Sequence, residues 1–156
     1  MLEANKKLIS SYSSCNSISM IKRGFNQKVI SVSINNLTDY EEVLKLSQNV
    51  PTNWSLRVYY DDKVISSDLK CYLMCDNEKV KNKNIDFCPI NSILKRSNNI
   101  NNTFLWKWLP FGDPFIDYFI SIDIKRVSIF KNIFLEINKW MNENKDILIV
   151  RGTKCF

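Results

Sequence analysis

Residues 54–60 read Trp-Ser-Leu-Arg-Val-Tyr-Tyr, a run of aromatic and β-branched side chains bounded by Pro51 and Asn53 before it and by Asp61-Asp62 after it. Such residues fit a pleated, buried surface and such punctuation marks turns, so the stretch reads as a strand. Upstream, Val29–Ile34 (VISVSI) is a second short β-branched run, ended by Asn35-Asn36. Thr38 with Glu41 three residues on has the form of a capping box, and Val43, Leu44 and Leu46 supply an apolar helical face to about Asn49. Downstream, helical spacing returns over Ser67–Cys75, and a short strand is expected near Val80 or over Ile85–Cys88. Thr103–Leu109 (TFLWKWL) reads as a short helix stopped by Pro110 and Gly112, and Ile116–Ile122 (IDYFISI) as a core strand. Phe130, Ile133, Phe134, Ile137 and Met141 recur at the interval of an amphipathic helix, and Ile147–Val150 (ILIV) as a strand buried on both faces.

Strands separated by helix-length segments require crossover connections, so the expected fold class is α/β: a mostly parallel sheet flanked by helices, Rossmann-like. Ligands of such sheets sit beyond the carboxyl ends of the strands. That directs attention to Asn35, Asn36, Asp61, Asp62 and, above all, Asp123.

The length of 156 residues suits one domain, expected over residues 28–156, behind a polar, serine-rich leader, residues 1–27, without periodicity and expected to be poorly ordered. The net charge of +6 would favour a nucleic acid or an anionic membrane if it were spread over a face. It is not: Lys6, Lys7, Lys22, Arg23 and Lys28 stand against Glu3 alone in the first 28 residues, and the remainder is near balance. No nucleic-acid partner is expected. Leu8–Met20 is broken by serines, which argues against a secretory signal, and Lys107, Asp113 and Asp117 interrupt the longest apolar region, which argues against a membrane span. A cytoplasmic protein is the default expectation. Five cysteines include no Cys-x-x-Cys pair and are read as buried free thiols of a reducing compartment.

The chain contains no histidine, which removes nucleophilic systems that need an imidazole base, and its three glycines cannot form a Gly-rich phosphate loop. Carboxylates at strand ends remain. Asp113, Asp117 and Asp123 cluster around one strand, and strict alternation would put Asp117 and Asp123 on one face.

The succession Asn53-Trp54-Ser55-Leu56-Arg57-Val58-Tyr59-Tyr60-Asp61, then Asn77, then Phe104-Leu105-Trp106-Lys107-Trp108-Leu109-Pro110, then Asp113 through Asp123, resembles a group of glycosyltransferase-like proteins similar to GT-A enzymes. That group carries a Gly-Trp-x-x-Arg-x-Tyr strand, a Trp-Arg-Phe-Leu-Pro segment and an Arg-Asp-x-Asp-Ser element ending a strand, and the likeness spans roughly residues 29–151. The resemblance implies a GT-A-like fold and a nucleotide-sugar donor whose diphosphate is neutralised by a cation held on Asp-x-Asp. Carried over, the first aspartate falls on Asp123 and the second on Lys125, with Ile122 in place of the arginine and Arg126 in place of the serine. A later Arg-Glu pair falls near Lys131-Asn132, and an Arg-Asp pair on Arg151-Gly152. The resemblance further implies acceptor-binding parts beyond that point, and therefore an incomplete, truncated domain with a degenerate metal motif.

Substrate binding is accordingly assigned to Asp123, Lys125 and Arg126, with Asp113 and Asp117 as supports and no assigned catalytic residue or metal. No cofactor is expected, and manganese or magnesium enters only if Asp123 still ligates it. The expected function is a glycosyltransferase-like, nucleotide-sugar-binding domain, impaired or inactive in catalysis. The alternative is a non-enzymatic domain that meets a protein partner through exposed apolar surface.

Overall fold

The computed structural model describes residues 13–15, 21–63, 65–69, 84–93, 103–125 and 133–143. Among the described residues four strands, β1 (Gln27–Ser33), β2 (Ser55–Tyr60), β3 (Ile85–Pro89) and β4 (Ile116–Ser121), form one sheet in the order β3-β2-β1-β4. Every neighbouring pair is parallel, with Ile30 opposite Leu56 and Ile120, and Val58 opposite Phe87. The α/β architecture expected from the alternation is the one observed. Helices α1 (Leu37–Ser47), α2 (Ile90–Ile93), α3 (Thr103–Trp106) and α4 (Ile133–Asn142) accompany the sheet, with a 3-10 turn at Leu109–Gly112.

Register sorts the side chains onto two unlike faces. On one, Ile30, Val32 and Ile34 of the first strand region join Leu56, Val58, Ile85 and Ile122 in an apolar core. Tyr40, Val43 and Leu46 of α1 and Ile137 and Trp140 of α4 close over it, with Trp140 edge-on to Tyr118 at 5.8 Å. The 3–4 residue spacing of these helix positions is what puts them on one stripe. The opposite face is polar: Gln27, Ser31, Ser55, Arg57 and Asp86 are all buried there beside Tyr59 and Cys88. Trp106 and Leu109 pack on it, so the α3 region covers this side. From β1 the chain moves one way to β2, and from β3 it returns the other way to β4. Crossovers of a single hand then require the two connections to lie on opposite faces, as α1 and α3 do.

Several expectations are corrected. Asn36, not Thr38, caps α1: its side chain accepts from the Asp39 amide at 2.8 Å, and Asp39 accepts from the Asn35 amide at 2.9 Å. Asparagine caps at least as well as threonine, and starting two residues earlier turns Asp39 back onto the chain. Cys15 and Cys88 are not free thiols but a disulfide, with Cα atoms 4.8 Å apart. Ser13, Ser14 and Cys15, within the stretch read as a poorly ordered leader, are buried against the polar face. The helix over Ser67–Cys75, apart from its first residues, and the strand over Ile147–Val150 lie outside the described residues. No helix among the described residues is long and apolar enough to cross a membrane.

Candidate functional site at the sheet ends

Chain order reverses between β1 and β4: successive strands run outward from β1 through β2 to β3, then β4 appears on the other side of β1. Such a reversal leaves a crevice beyond the carboxyl ends of the two strands, since their connections leave in opposite directions. Two expected residues meet this rim. Asn35 follows β1, and its amide group donates to Thr103 Oγ1 at 3.2 Å. Asp123 follows β4, where the Ile122 amide still donates to the Ser31 carbonyl at 2.9 Å and keeps the chain in line with the sheet. The half-buried Asp123 accepts the Lys125 backbone N–H on Oδ1 at 3.2 Å, an Asx turn that leads the chain away from the strand, and Lys125 is exposed. Arg126 lies outside the described residues. Asp61 and Asp62, beyond β2, both accept from the Asn91 amide group, Asp61 Oδ1 at 2.7 Å.

Does this rim suit the divalent cation of an Asp-x-Asp element? A hard cation wants several oxygen ligands. Lys125 stands where the second carboxylate would be, and an ammonium two residues from Asp123 repels a cation. The residues present do not fit the group. Among the described residues no group of three or more cysteines or carboxylates is gathered that could hold a metal.

Asp113 and Asp117 are elsewhere. Across Gln27 and Lys28 the β1–β4 register advances by one residue on β1 and two on β4, from Ile116 to Tyr118, so Asp117 is the extra residue of a bulge and is exposed. The bulge breaks the strict alternation that would have paired Asp117 with Asp123. At ~3.3 Å per residue, six residues also separate the two by roughly 20 Å, too far to share a small ligand.

Asp113 is buried in a network the sequence did not announce. Arg57 Nη1 donates to Asp113 Oδ2 at 2.7 Å and to Ser14 Oγ at 2.7 Å, and Nη2 donates to Gln27 Oε1 at 2.7 Å. Ser14 donates both its backbone N–H and its hydroxyl to Asp113 Oδ2, each at 2.7 Å. With that proton committed, the 3.0 Å contact between Ser14 Oγ and Tyr59 is one in which the phenol donates. The other oxygen, Asp113 Oδ1, accepts the Phe115 amide at 3.0 Å, which turns the chain into β4. Burial pushes the Asp113 carboxyl up, but the hydrogen bonds from Arg57 and Ser14 and the Arg57 charge outweigh it and hold the group below the ordinary value. Burial likewise pushes the Tyr59 phenol up. At the edge of the same face, Arg23 pairs with the buried Asp86 through both carboxylate oxygens. The Arg57–Asp113 pair is architectural: it is buried beside Ser13 and Ser14, at the amino end of β4 and away from the carboxyl rim.

The aromatic residues divide. Trp106 is buried, whereas Trp108 and Phe111 stand edge-on to Phe119 at 6.0 Å each, Phe111 being 81% exposed. A further concavity, a groove of about 360 Å³ lined by Lys22, Arg23, Phe25, Lys28, Asn53 and Asn84, opens at the amino end of the strands, opposite Asp123. In this network Arg57 stands in the sequence only as the arginine of the Trp-x-x-Arg-x-Tyr strand, with no partner indicated. A charge placed between apolar neighbours in the middle of a strand is a further signal for Arg57; nothing local marks Ser14.

No family model matches the chain, and neither does any curated protein or solved structure.

Proposed function

We propose that this chain is a nucleotide-sugar-binding domain of GT-A-like design, impaired or inactive in glycosyl transfer, which takes its ligand at the carboxyl rim between β1 and β4. The observation that carries the reading is the position of Asp123 just past β4, beside the point where strand order reverses. A carboxylate there accepts hydrogen bonds from ribose hydroxyls, and the exposed Lys125 ammonium pairs with phosphate oxygens. Arg126 adds a second cation by sequence. Two positive side chains substitute for the metal in holding a diphosphate, but the acid–base and acceptor groups needed for transfer are not assigned.

Thermal unfolding with a panel of nucleotides and nucleotide-sugars, with and without manganese, tests this. A ligand present at 100 times its Kd adds about 2.7 kcal/mol to stability, enough for a clear rise in Tm. Uridine or guanosine diphosphosugars are expected to raise Tm equally with and without manganese, and Asp123→Ala and Lys125→Ala to abolish the rise. A panel without any shift sinks the proposal, and a shift that needs manganese sinks the metal-free form of it.

The exposed cluster of Phe104, Leu105, Trp108 and Phe111 favours a second reading, a domain that meets a protein partner through apolar surface. In that case the nucleotide panel leaves Tm unchanged.

A further inference from the structure

We propose that the groove across the amino ends of β1, β2 and β3 is a binding site for a small phosphomonoester, separate from the carboxyl rim. Three stretches of chain build it. The first enters β1 through two left-handed residues, Gly24 at φ 70° and Asn26 at φ 59°, and Gln27 Nε2 donates to the Gly24 carbonyl across this turn. The second is the entry to β2 and the third is Asn84, at the entry to β3. These two are tied together: the Leu56 amide donates to the Asn84 carbonyl at 2.7 Å, and the Asn84 side-chain amide donates to the Thr52 carbonyl at 3.0 Å. Because the strands are parallel, their amino ends fall on one side, and the stretches enclose a groove of about 360 Å³, the size of a small-molecule site.

The lining selects an anion. Lys22, Arg23 and Lys28 contribute to it, and among the described residues no carboxylate does. Arg23 is committed to Asp86, so the charge offered to a ligand comes from the two lysines. Each ammonium has three N–H donors on a flexible stem, and a contact elsewhere leaves donors for a bound anion. An independent sign of a ligand is Ser55, which lines the groove at 3% exposure and whose hydroxyl is buried with no hydrogen-bond partner. A polar group left in that state costs free energy, which a ligand oxygen would recover.

Charge decides between anions. A phosphate monoester carries about −1.5 to −2 at neutral pH and three strong acceptor oxygens, which suits two ammonium groups and a hydroxyl; a carboxylate brings one charge and two oxygens. The organic part of the ligand has apolar surface to meet in Phe25, which lines the groove, is 71% exposed and packs at 5.0 Å on Phe115.

Nitrogen–proton correlation NMR of the full chain, titrated with phenyl phosphate and, in parallel, with benzoate, tests the site. Phenyl phosphate is expected to move the backbone amides of Gln27, Lys28, Ser55 and Asn84 saturably while Asp123 and Lys125 stay in place, which keeps this groove distinct from the carboxyl rim. Benzoate, with the same ring and less charge, is expected to bind about tenfold or more weakly. Lys22→Gln/Lys28→Gln should weaken phenyl phosphate by a similar factor with the rest of the spectrum unchanged. Ser55→Ala separates binding from folding: it removes an unpaired hydroxyl, so Tm of the free protein holds or rises, yet affinity for phenyl phosphate falls about fivefold or more. The proposal is overturned by an unmoved spectrum, by shifts confined to the Asp123 rim, by equal affinity for benzoate, or by full affinity in Ser55→Ala.

Discussion

Asp113 carries a charge that burial opposes, and the charge persists because Arg57 and Ser14 direct four hydrogen bonds at it and its neighbouring hydroxyl. Pairs of this kind add little over an apolar substitute, yet removing one partner strands the other. Arg57→Met or Asp113→Asn is expected to lower the unfolding free energy by about 3–5 kcal/mol in urea titrations. The double variant should lose clearly less than the two single losses combined, because no unpaired charge is left behind. Acid should act on the same group. The folded-state carboxyl titrates below its unfolded value of about 3.9, so its stabilisation is complete above that pH and disappears as pH falls through the lower folded value. In Asp113→Asn that part of the acid limb should be missing from a stability–pH curve. Little of this was legible in the chain: Asp113 was picked out as a support, but its partners lie 56 and 99 residues away, and no local pattern records such a distance.

Elements were far more readable, because each is set by neighbours in sequence. β2 and β4 appear within a residue of where their β-branched and aromatic runs place them, and α1 spans its apolar stripe. The end of α1 moved because two capping residues competed and local sequence ranks them poorly. Asn36→Ala is therefore expected to cost about 0.5–2 kcal/mol, and Thr38→Ala much less, a contrast that denaturation would reveal directly. On α4, Ile137 is buried between helix and sheet, and Ile137→Ala is expected to cost about 2–5 kcal/mol. The bulge at Asp117 had no signal in the alternation of IDYFISI, since the extra residue shows only when the strand is laid beside β1.

For the molecule as a whole, the two faces of the sheet are unlike: an apolar one closed by α1 and α4, and a polar one covered by the α3 region and joined to Cys15 by a disulfide. In the chain-entropy model, closing a loop of 73 residues stabilises by roughly 4 kcal/mol, which is what reduction should remove in chemical denaturation. A domain of ordinary stability, about 5–15 kcal/mol, stays folded after that loss. The strand order β3-β2-β1-β4 likewise belongs to this scale, and with it the crevice that gives Asp123 its interest.

By itself, the sequence determined the α/β class, the strands and helices that carry the core, the lack of imidazole chemistry, and the position of Asp123 just past a strand. Those features depend on periodicity, propensity and composition, which act over a few residues. Only the tertiary structure decided that Ser14 and Cys15 belong to the fold, that Arg57 pairs with Asp113, that Cys15 joins Cys88, and that strand order reverses beside β1. Each of these is a meeting of distant segments, chosen by which faces can be buried together, and local sequence holds no measure of that choice.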